Sequence, residues 1–145
     1  MYLGYQINER MNEEFIAHVA KSKEELLKIY NEYTKIETTD KEVELIDGAY
    51  YLGEEINRKK SELSAKHIRE VRNAKISETD YLMTPDYPIS AENIEELKVY
   101  RQALRDVPEL TGFPDDVIWP TVPKFLCKEE EEVASETTGL AKVGL

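Results

Sequence analysis

The sequence predicts an α+β protein whose small N-terminal sheet carries one helix and is followed by a long connecting helix. A C-terminal helix-loop-helix, an extended proline-rich arm and a disordered acidic tail complete this prediction. Three observations support it: short alternating apolar segments before residue 53, helical spacing of apolar residues after it, and prolines clustered between Pro108 and Pro123. The 145 residues suit one domain, or one small domain with an attached segment. We place the boundaries at residues 1–53, 54–126 and 127–145.

The N-terminal part is predicted to contain four short strands and one helix in a single small sheet. Residues 3–7 and 15–19 favour strands, although the stretch 13–20 is short enough to allow a helix as well. Ser22 begins a helix over residues 22–33, since Ser22 and Glu25 have the spacing of a capping box. Residues 42–52 predict a hairpin that turns at Asp47-Gly48, a type I′ pair.

The middle of the chain is predicted to be helical. Residues 54–75 form one long helix with a narrow apolar stripe, made of Ile56, Leu63, Ile68 and Val71. Such a stripe is typical of a connector between two units or of a helix that pairs with another, and both interpretations stay open. Residues 77–89 form a loop, and Ser90 caps a further helix that ends at Val107-Pro108. One face of that helix carries Ile94, Leu97, Tyr100 and Leu104.

Composition and charge argue against several classes of protein. The formal net charge is −11, which disfavours binding to nucleic acid and to anionic membranes. No apolar run is long enough to span a bilayer, and we expect no signal peptide at the N-terminus. Cys127 is the single cysteine, so no internal disulfide forms, and with only two histidines a zinc site is not expected. We predict no metal and no cofactor.

No catalytic constellation is predicted. Asp80 and Asp86 flank a loop, and Asp115 and Asp116 are adjacent, but neither pair has a nearby His or Lys partner. We interpret Asp80 and Asp86 as turn or cap residues. The acidic run after Cys127 disfavours a reactive thiolate. A small hydrolase therefore remains only a remote alternative.

The proline-rich arm holds the only tryptophan of the chain. Phe113, Val117, Trp119 and Val122 present large side chains from a segment too irregular to build a core of its own. Two interpretations are open. The arm folds back over the helix of residues 94–104 with Trp119 as a lid, or Trp119 docks a partner, since aromatic anchors dominate interface energetics.

The second half of the chain resembles a family of tailed-bacteriophage proteins, the tail assembly chaperone-like and tail-fibre-assembly group. The resemblance covers residues 71–123. It departs from the family at Tyr81 and Leu97, where the family often has tryptophan. It is carried by six motifs in order: Val71-Arg72-Asn73, Thr79-Asp80-Tyr81, Pro85-Asp86-Tyr87-Pro88-Ile89-Ser90, Tyr100-Arg101-Gln102-Ala103-Leu104-Arg105-Asp106-Val107-Pro108, Gly112-Phe113-Pro114 and Val117-Ile118-Trp119-Pro120-Thr121-Val122-Pro123.

The resemblance implies a non-enzymatic phage or prophage protein that binds a larger tail or tail-fibre polypeptide during assembly. It equally allows a permanent structural component of the virion tail or baseplate. The implied location is the host bacterial cytoplasm during assembly, or the virion tail. We expect no nucleic-acid partner and no membrane partner, and a homo-oligomer is left open.

Site residues are expected in two groups. Residues for partner binding or arm packing are Leu97, Tyr100, Arg101, Arg105, Phe113, Trp119, Pro120 and Pro123. Residues for ion pairs that fix the loop between the two helices are Arg72, Asp80, Asp86 and Asp106, with Arg101 and Arg105 as further cations. The shielding surface is expected to use Leu97, Tyr100 and Trp119.

Overall fold

The computed structural model describes residues 1–127, so the predicted acidic tail, from residue 128 onward, lies outside the described residues. The chain divides into two units, the first spanning Met1–Ile68 and the second beginning at Arg69. Strands lie in the first unit and helices dominate the second, which confirms the predicted α+β class. The three-part division at residues 53 and 126 stays a prediction.

The first unit is built around a three-stranded antiparallel sheet. Strands β1 (Tyr2–Asn8), β2 (Glu13–Ala20) and β3 (Lys35–Thr38) are arranged in the order β2-β1-β3. The turn between β1 and β2 ends at Asn12, whose φ of 54° is positive and whose backbone N–H donates to the carbonyl of Asn8 at 2.7 Å. β2 is therefore a strand, which decides between the two interpretations that its short sequence allowed.

Helix α1 (Lys23–Ile29) begins as the sequence predicts. Ser22 Oγ accepts from the backbone N–H of Glu25 at 3.1 Å, while Glu25 Oε2 accepts from the backbone N–H of Lys21 at 3.2 Å. Its predicted end at residue 33 is wrong, because the helix ends at Ile29 and Tyr30 is already extended, with φ −156°.

The aromatic residues after α1 explain its early end. The hydroxyl of Tyr33 donates to the carbonyl of Leu26 at 3.2 Å and lies 3.1 Å from His18 Nδ1. The Tyr33 ring lies directly over Gly4 of β1. These contacts draw residues 30–34 back onto the sheet, and the chain then enters β3, a strand that the sequence analysis missed.

A second, two-stranded sheet is formed by β4 (Val43–Ile46) and β5 (Ala49–Leu52). Its turn residues Asp47 and Gly48 have φ values of 49° and 80°, which confirms the predicted type I′ conformation. The prediction of one sheet with four strands is wrong, since five strands form two separate sheets. The edge of β1 to which the predicted hairpin could have added is paired with β3, so β4 and β5 form a sheet of their own.

Helix α2 (Glu54–Ser77) is the long helix that the sequence predicts, extended by two residues beyond the predicted end. Its residues up to Ile68 belong to the first unit and the rest to the second. A short 3₁₀ helix (Asp80–Met83) follows within the predicted loop. In the described part of the chain, no helix has the length and apolar character needed to span a membrane.

Helix α3 (Ala91–Asp106) begins after Ser90, whose Oγ accepts from the backbone N–H of Asn93 at 3.1 Å, as the capping prediction requires. It ends where Pro108 enters a 3₁₀ turn (Val107–Glu109). The arm then turns at Gly112, continues without regular structure to Pro123, and ends in a 3₁₀ turn (Lys124–Leu126).

Candidate functional site

The inner face of α3 forms the core of the second unit. Leu97 and Leu104 are fully buried, Tyr100 is 7% exposed, and Leu82 from the 3₁₀ helix packs against them. These α3 positions are those at which the sequence predicts an apolar face. Because Leu97 has no exposed surface, it serves the core in this conformation, and its part in shielding a partner stays a prediction.

The proline-rich arm lies against this core. Trp119, Phe125 and Leu126 are partly buried against the cluster of Leu82, Leu97, Tyr100 and Leu104. Two cations of α2 face aromatic rings of the arm: Lys75 Nζ lies 5.5 Å from the Trp119 ring centre, and the Arg69 guanidinium lies 5.2 Å from the Phe113 ring centre. The arm is thus held between the second part of α2 and α3.

Arg101 connects α3 to the end of α2 and to the segment that follows. Its guanidinium donates to the Ile76 carbonyl at 3.0 Å and to Thr79 Oγ1 at 2.7 Å, and its Nη2 lies 2.8 Å from Asp80 Oδ1. The Arg101 side chain is 12% exposed and that of Asp80 is 59% exposed. The threonine hydroxyl in turn donates to the Ile76 carbonyl at 2.8 Å. This network fixes the direction in which the chain leaves α2.

The other residues expected in ion pairs have different contacts. Arg72 Nε donates to Asn73 Oδ1 at 3.0 Å, and Asp106 Oδ1 accepts from Gln102 Nε2 at 2.8 Å. Asp86 is exposed. Arg105 lines a shallow pocket on the outer side of α3 together with Met83, Lys98, Val99, Arg101 and Gln102. The ion-pair role of these side chains stays a prediction.

A groove of about 820 Å³ runs between α3 and the arm. Its apolar residues are Val99, Tyr100 and Ala103 from α3 and Pro120, Val122 and Pro123 from the arm. Glu95, Glu96, Thr121 and Lys124 also line it. The groove therefore presents apolar side chains to solvent with charged groups beside them.

Seven of the ten groove residues were not among the predicted site residues, and the apolar ones of these on α3 are Val99 and Ala103. Val99 is 70% exposed and Ala103 is partly buried, and both lie on the outer side of the α3 core. The signal was present in the sequence, since Val99 and Ala103 are spaced four residues apart and flank the core residue Tyr100. They were missed because apolar residues next to the core-facing side of a helix are explained equally well as part of the core, so the sequence alone did not assign them to a binding surface.

Two ionisable side chains of the second unit, Tyr100 and Asp80, have surroundings that bear on the chemistry of the site. Burial raises the pKa of the Tyr100 hydroxyl, and the nearby carboxylate of Glu78 raises it further, so this hydroxyl is protonated at neutral pH. The Asp80 carboxylate is paired with Arg101. Within residues 1–127, no three His, Cys, Asp or Glu side chains converge as a metal site would require. The geometry of the site supports apolar binding.

Comparison with known proteins identifies the segment that builds this site. Residues 65–124 match the family model described as "Phage tail assembly chaperone protein", a match that covers less than half of the chain. No curated protein and no solved structure matches the chain significantly. The matched segment includes the second part of α2, all of α3 and the arm through Lys124. This confirms the resemblance predicted over residues 71–123 and the predicted function in phage tail assembly.

Proposed function

We propose that this chain, whose residues 65–124 match the model of the phage tail assembly chaperone family, binds a larger tail or tail-fibre polypeptide during assembly and catalyses no reaction. One observation supports this proposal above the others. The matched segment is the same segment that forms the α3 core, the Trp119 arm and the groove between them.

The exposed apolar side chains of the groove support a binding role. Val99 and Val122 expose 70% and 39% of their surface, although α3 has an adjacent core into which apolar side chains pack. Apolar surface that is left in a groove marks a site of interaction with another polypeptide. A chaperone of this design covers an apolar stretch of its partner until the partner assembles.

The protonation and pairing of the nearby polar groups support a non-enzymatic role. The tyrosine hydroxyl beside the groove has a raised pKa, so it is a poor base at neutral pH. Asp80, which a hydrolytic mechanism would need as a free carboxylate, lies against the Arg101 guanidinium.

The net charge supports a transient, soluble complex. At a formal charge of −11, molecules of the chaperone repel one another and keep a bound aggregation-prone polypeptide in solution. In this view the host bacterial cytoplasm, where tails assemble, is the place of action.

Co-expression with a tail or tail-fibre polypeptide of the same phage or prophage tests the proposal. We expect more of that polypeptide in the soluble fraction, and in its native oligomer, when the chain is present. An unrelated protein of similar size and charge serves as the control for solubilisation by charge alone. Equal yields with the chain and with the control would contradict the proposal.

Mass spectrometry of purified particles separates this proposal from its structural alternative. A transient chaperone is absent from finished virions, whereas a component of the tail or baseplate is present in stoichiometric amount. Detection of the chain at that amount would replace the chaperone role by a structural one. Light scattering on the purified chain decides whether it acts as a homo-oligomer.

A further inference from the structure

We infer that a pocket on the outer side of α3 binds an aspartate or glutamate side chain of the tail polypeptide. This cationic pocket has a volume of about 500 Å³ and adjoins the groove, since Val99 lines both. The inference rests on the proposed function and specifies one chemical group of the partner. The residues that line the pocket are Met83, Lys98, Val99, Arg101, Gln102 and Arg105.

The lining of the pocket is positively charged, although the chain as a whole is strongly negative. Lys98, Arg101 and Arg105 follow one another at spacings of three and four residues, so they lie along one side of α3. No aspartate or glutamate among residues 1–127 lines the pocket. At physiological salt, charges farther away than about 8 Å are largely screened, so the lining cations decide which charge the pocket attracts.

Two of the three cations have an ion-pair partner within the chain. Lys98 Nζ lies 2.7 Å from Glu95 Oε1, and Arg101 Nη2 lies 2.8 Å from Asp80 Oδ1. The pair of Lys98 and Glu95 is a surface pair, with both side chains more than half exposed. Such pairs contribute little to stability, so a carboxylate of a partner can replace Glu95 beside Lys98.

The third cation, Arg105, has its charge available. Its side chain is exposed and forms no ion pair with any other residue of the described range 1–127. The neighbouring carboxylate of Asp106 instead accepts a hydrogen bond from Gln102 Nε2 at 2.8 Å, since consecutive side chains of a helix point in different directions. A free guanidinium binds a carboxylate through two parallel hydrogen bonds.

The apolar side chains beside the cations favour a polypeptide as the occupant. Met83 is 40% exposed and Val99 is 70% exposed, so both can be covered by an apolar residue next to the acidic one. Nucleic acid is disfavoured, because its closely spaced phosphates require an extended basic surface and the formal charge of the chain is −11. The pocket therefore suits a short acidic segment with an apolar neighbour.

Fluorescence anisotropy with two labelled peptides tests the inference on the full-length chain. Both peptides contain the same leucines and alanines, and one has glutamate at the positions where the other has glutamine. At about 0.15 M salt we expect the glutamate peptide to bind at least about tenfold more tightly, with an affinity that falls as salt is raised. Because the net charge of the chain repels that peptide, such a preference cannot arise from overall charge. Equal affinities, or no binding of either peptide, would overturn the inference.

Substitutions of Arg105 locate the site. We expect Arg105→Gln to weaken binding of the glutamate peptide about tenfold and to leave the glutamine peptide unchanged, while Arg105→Lys stays within about threefold of the parent. Arg10→Gln is the matched control, since it makes the same change in net charge at an exposed arginine of the first unit. An equal loss in this control would overturn the inference.

A purely structural role of Arg105 predicts a different result. The residue lies in the last turn of α3, where a cation stabilises the helix through its dipole. Loss of that stabilisation would weaken binding of both peptides alike, and circular dichroism would report the change in the helix. An equal loss for the glutamate and glutamine peptides would therefore overturn the inference.

Other occupants of the cationic pocket have their own outcomes. A labelled short single-stranded DNA that binds more tightly than the glutamate peptide would assign the pocket to nucleic acid. A parent dimer that Arg105→Gln dissociates, measured by light scattering, would assign it to a second copy of the chain. We expect neither result, and either one would overturn the inference.

The inference and the proposed function fail separately. We expect the Arg105→Gln chain to solubilise its tail polypeptide less well than the parent in co-expression. If it does so equally well, the inference is wrong while the chaperone function stands. If the glutamate peptide binds as expected but co-expression with the parent chain changes nothing, the chemistry of the pocket stands while the chaperone function is wrong.

Discussion

Arg101 shows how one side chain of the α3 motif fixes the second unit. Its guanidinium satisfies the Ile76 carbonyl and the Thr79 hydroxyl while it pairs with the more exposed Asp80. The planar fork of arginine reaches several acceptors at once, which a lysine ammonium does not do in the same geometry. The spacing of the arginines in the sequence did not reveal that a backbone carbonyl and a hydroxyl oxygen would be partners of Arg101 besides Asp80.

Substitution of Arg101 tests this network. We expect Arg101→Ala to lower the free energy of unfolding by about 2 kcal/mol, because the buried acceptors lose a charged donor. Asp80→Asn is the comparison, and it should cost less than about 1 kcal/mol, since its side chain is 59% exposed. Urea unfolding followed by the fluorescence of the single tryptophan gives both values. A cost for Asp80→Asn that equals the cost for Arg101→Ala would show that the ion pair dominates.

Gly4 tests the packing of the first unit at the residue scale. A Cβ atom at this position would lie 2.7 Å from Cδ1 and from Cζ of the Tyr33 ring, which is held by its contacts to His18 and Leu26. We expect Gly4→Ala to destabilise the sheet by about 1–3 kcal/mol through overpacking. Amide hydrogen exchange in β1 measures the loss.

A double-mutant cycle supplies the control for Gly4. In a Tyr33→Ser background the ring is gone, so adding Gly4→Ala should cost much less than it does in the parent chain. An unchanged cost in that background would mean that backbone conformation, and not the ring, requires glycine.

At the scale of elements, the arm and helix α3 depend on each other. The arm lacks regular hydrogen bonding between residues 117 and 123, so its position depends on side-chain contacts with the α3 core. Trp119 provides the largest of these side chains and also faces Lys75 of α2. The arm-packing interpretation of the sequence describes this conformation, while contact of Trp119 with a partner stays a prediction.

A pair of neighbouring alanine substitutions tests the closure of the arm. We expect Trp119→Ala to cost about 2 kcal/mol, less than for a fully buried tryptophan because its ring is only partly covered. Ile118→Ala, at a position 76% exposed, should change stability by no more than about 0.5 kcal/mol. Thermal unfolding followed by circular dichroism compares them. Similar losses of stability at both positions would contradict the view that the Trp119 side chain holds the arm against α3.

At the scale of the whole molecule, three tyrosines that are wholly or partly buried make stability depend on alkaline pH. Burial raises the pKa of Tyr5, Tyr33 and Tyr100 above the ordinary value of 10.0. The native state therefore holds protons that the unfolded chain releases as the pH rises through about 10. The stabilisation is complete below that pH and is lost above it, until the native tyrosines also ionise.

Tyr100→Phe isolates the contribution of the second unit. We expect the urea midpoint of the parent to fall between about pH 9 and pH 11, and the fall to be shallower in the Phe variant, which has no proton to lose. Tryptophan emission reports the second unit specifically, because Trp119 lies there and is the only tryptophan. Parallel curves for the two proteins would assign the alkaline loss to other groups.

The sequence alone determined the features that depend on neighbouring residues. The caps at Ser22 and Ser90, the Asp47-Gly48 turn and the apolar face of α3 are local patterns, and the structure has each of them. The motif order in the second half of the chain was sufficient to indicate the resemblance that the family match over residues 65–124 confirms. These inferences hold because capping, turn geometry and helical spacing involve residues only a few positions apart.

Only the tertiary structure decided what distant residues do. The apolar residues after Ile29 have helical spacing in the sequence, yet α1 ends at Ile29. Tyr33 packs against Gly4, far earlier in the chain, and the segment that follows pairs with β1 as strand β3. In the same way, Leu97 is buried in the core, whereas Val99 and Ala103 of the same helix line the groove with residues of the arm. Helical periodicity gives the face on which a residue lies, but which segment covers that face is set by packing between elements far apart in the chain.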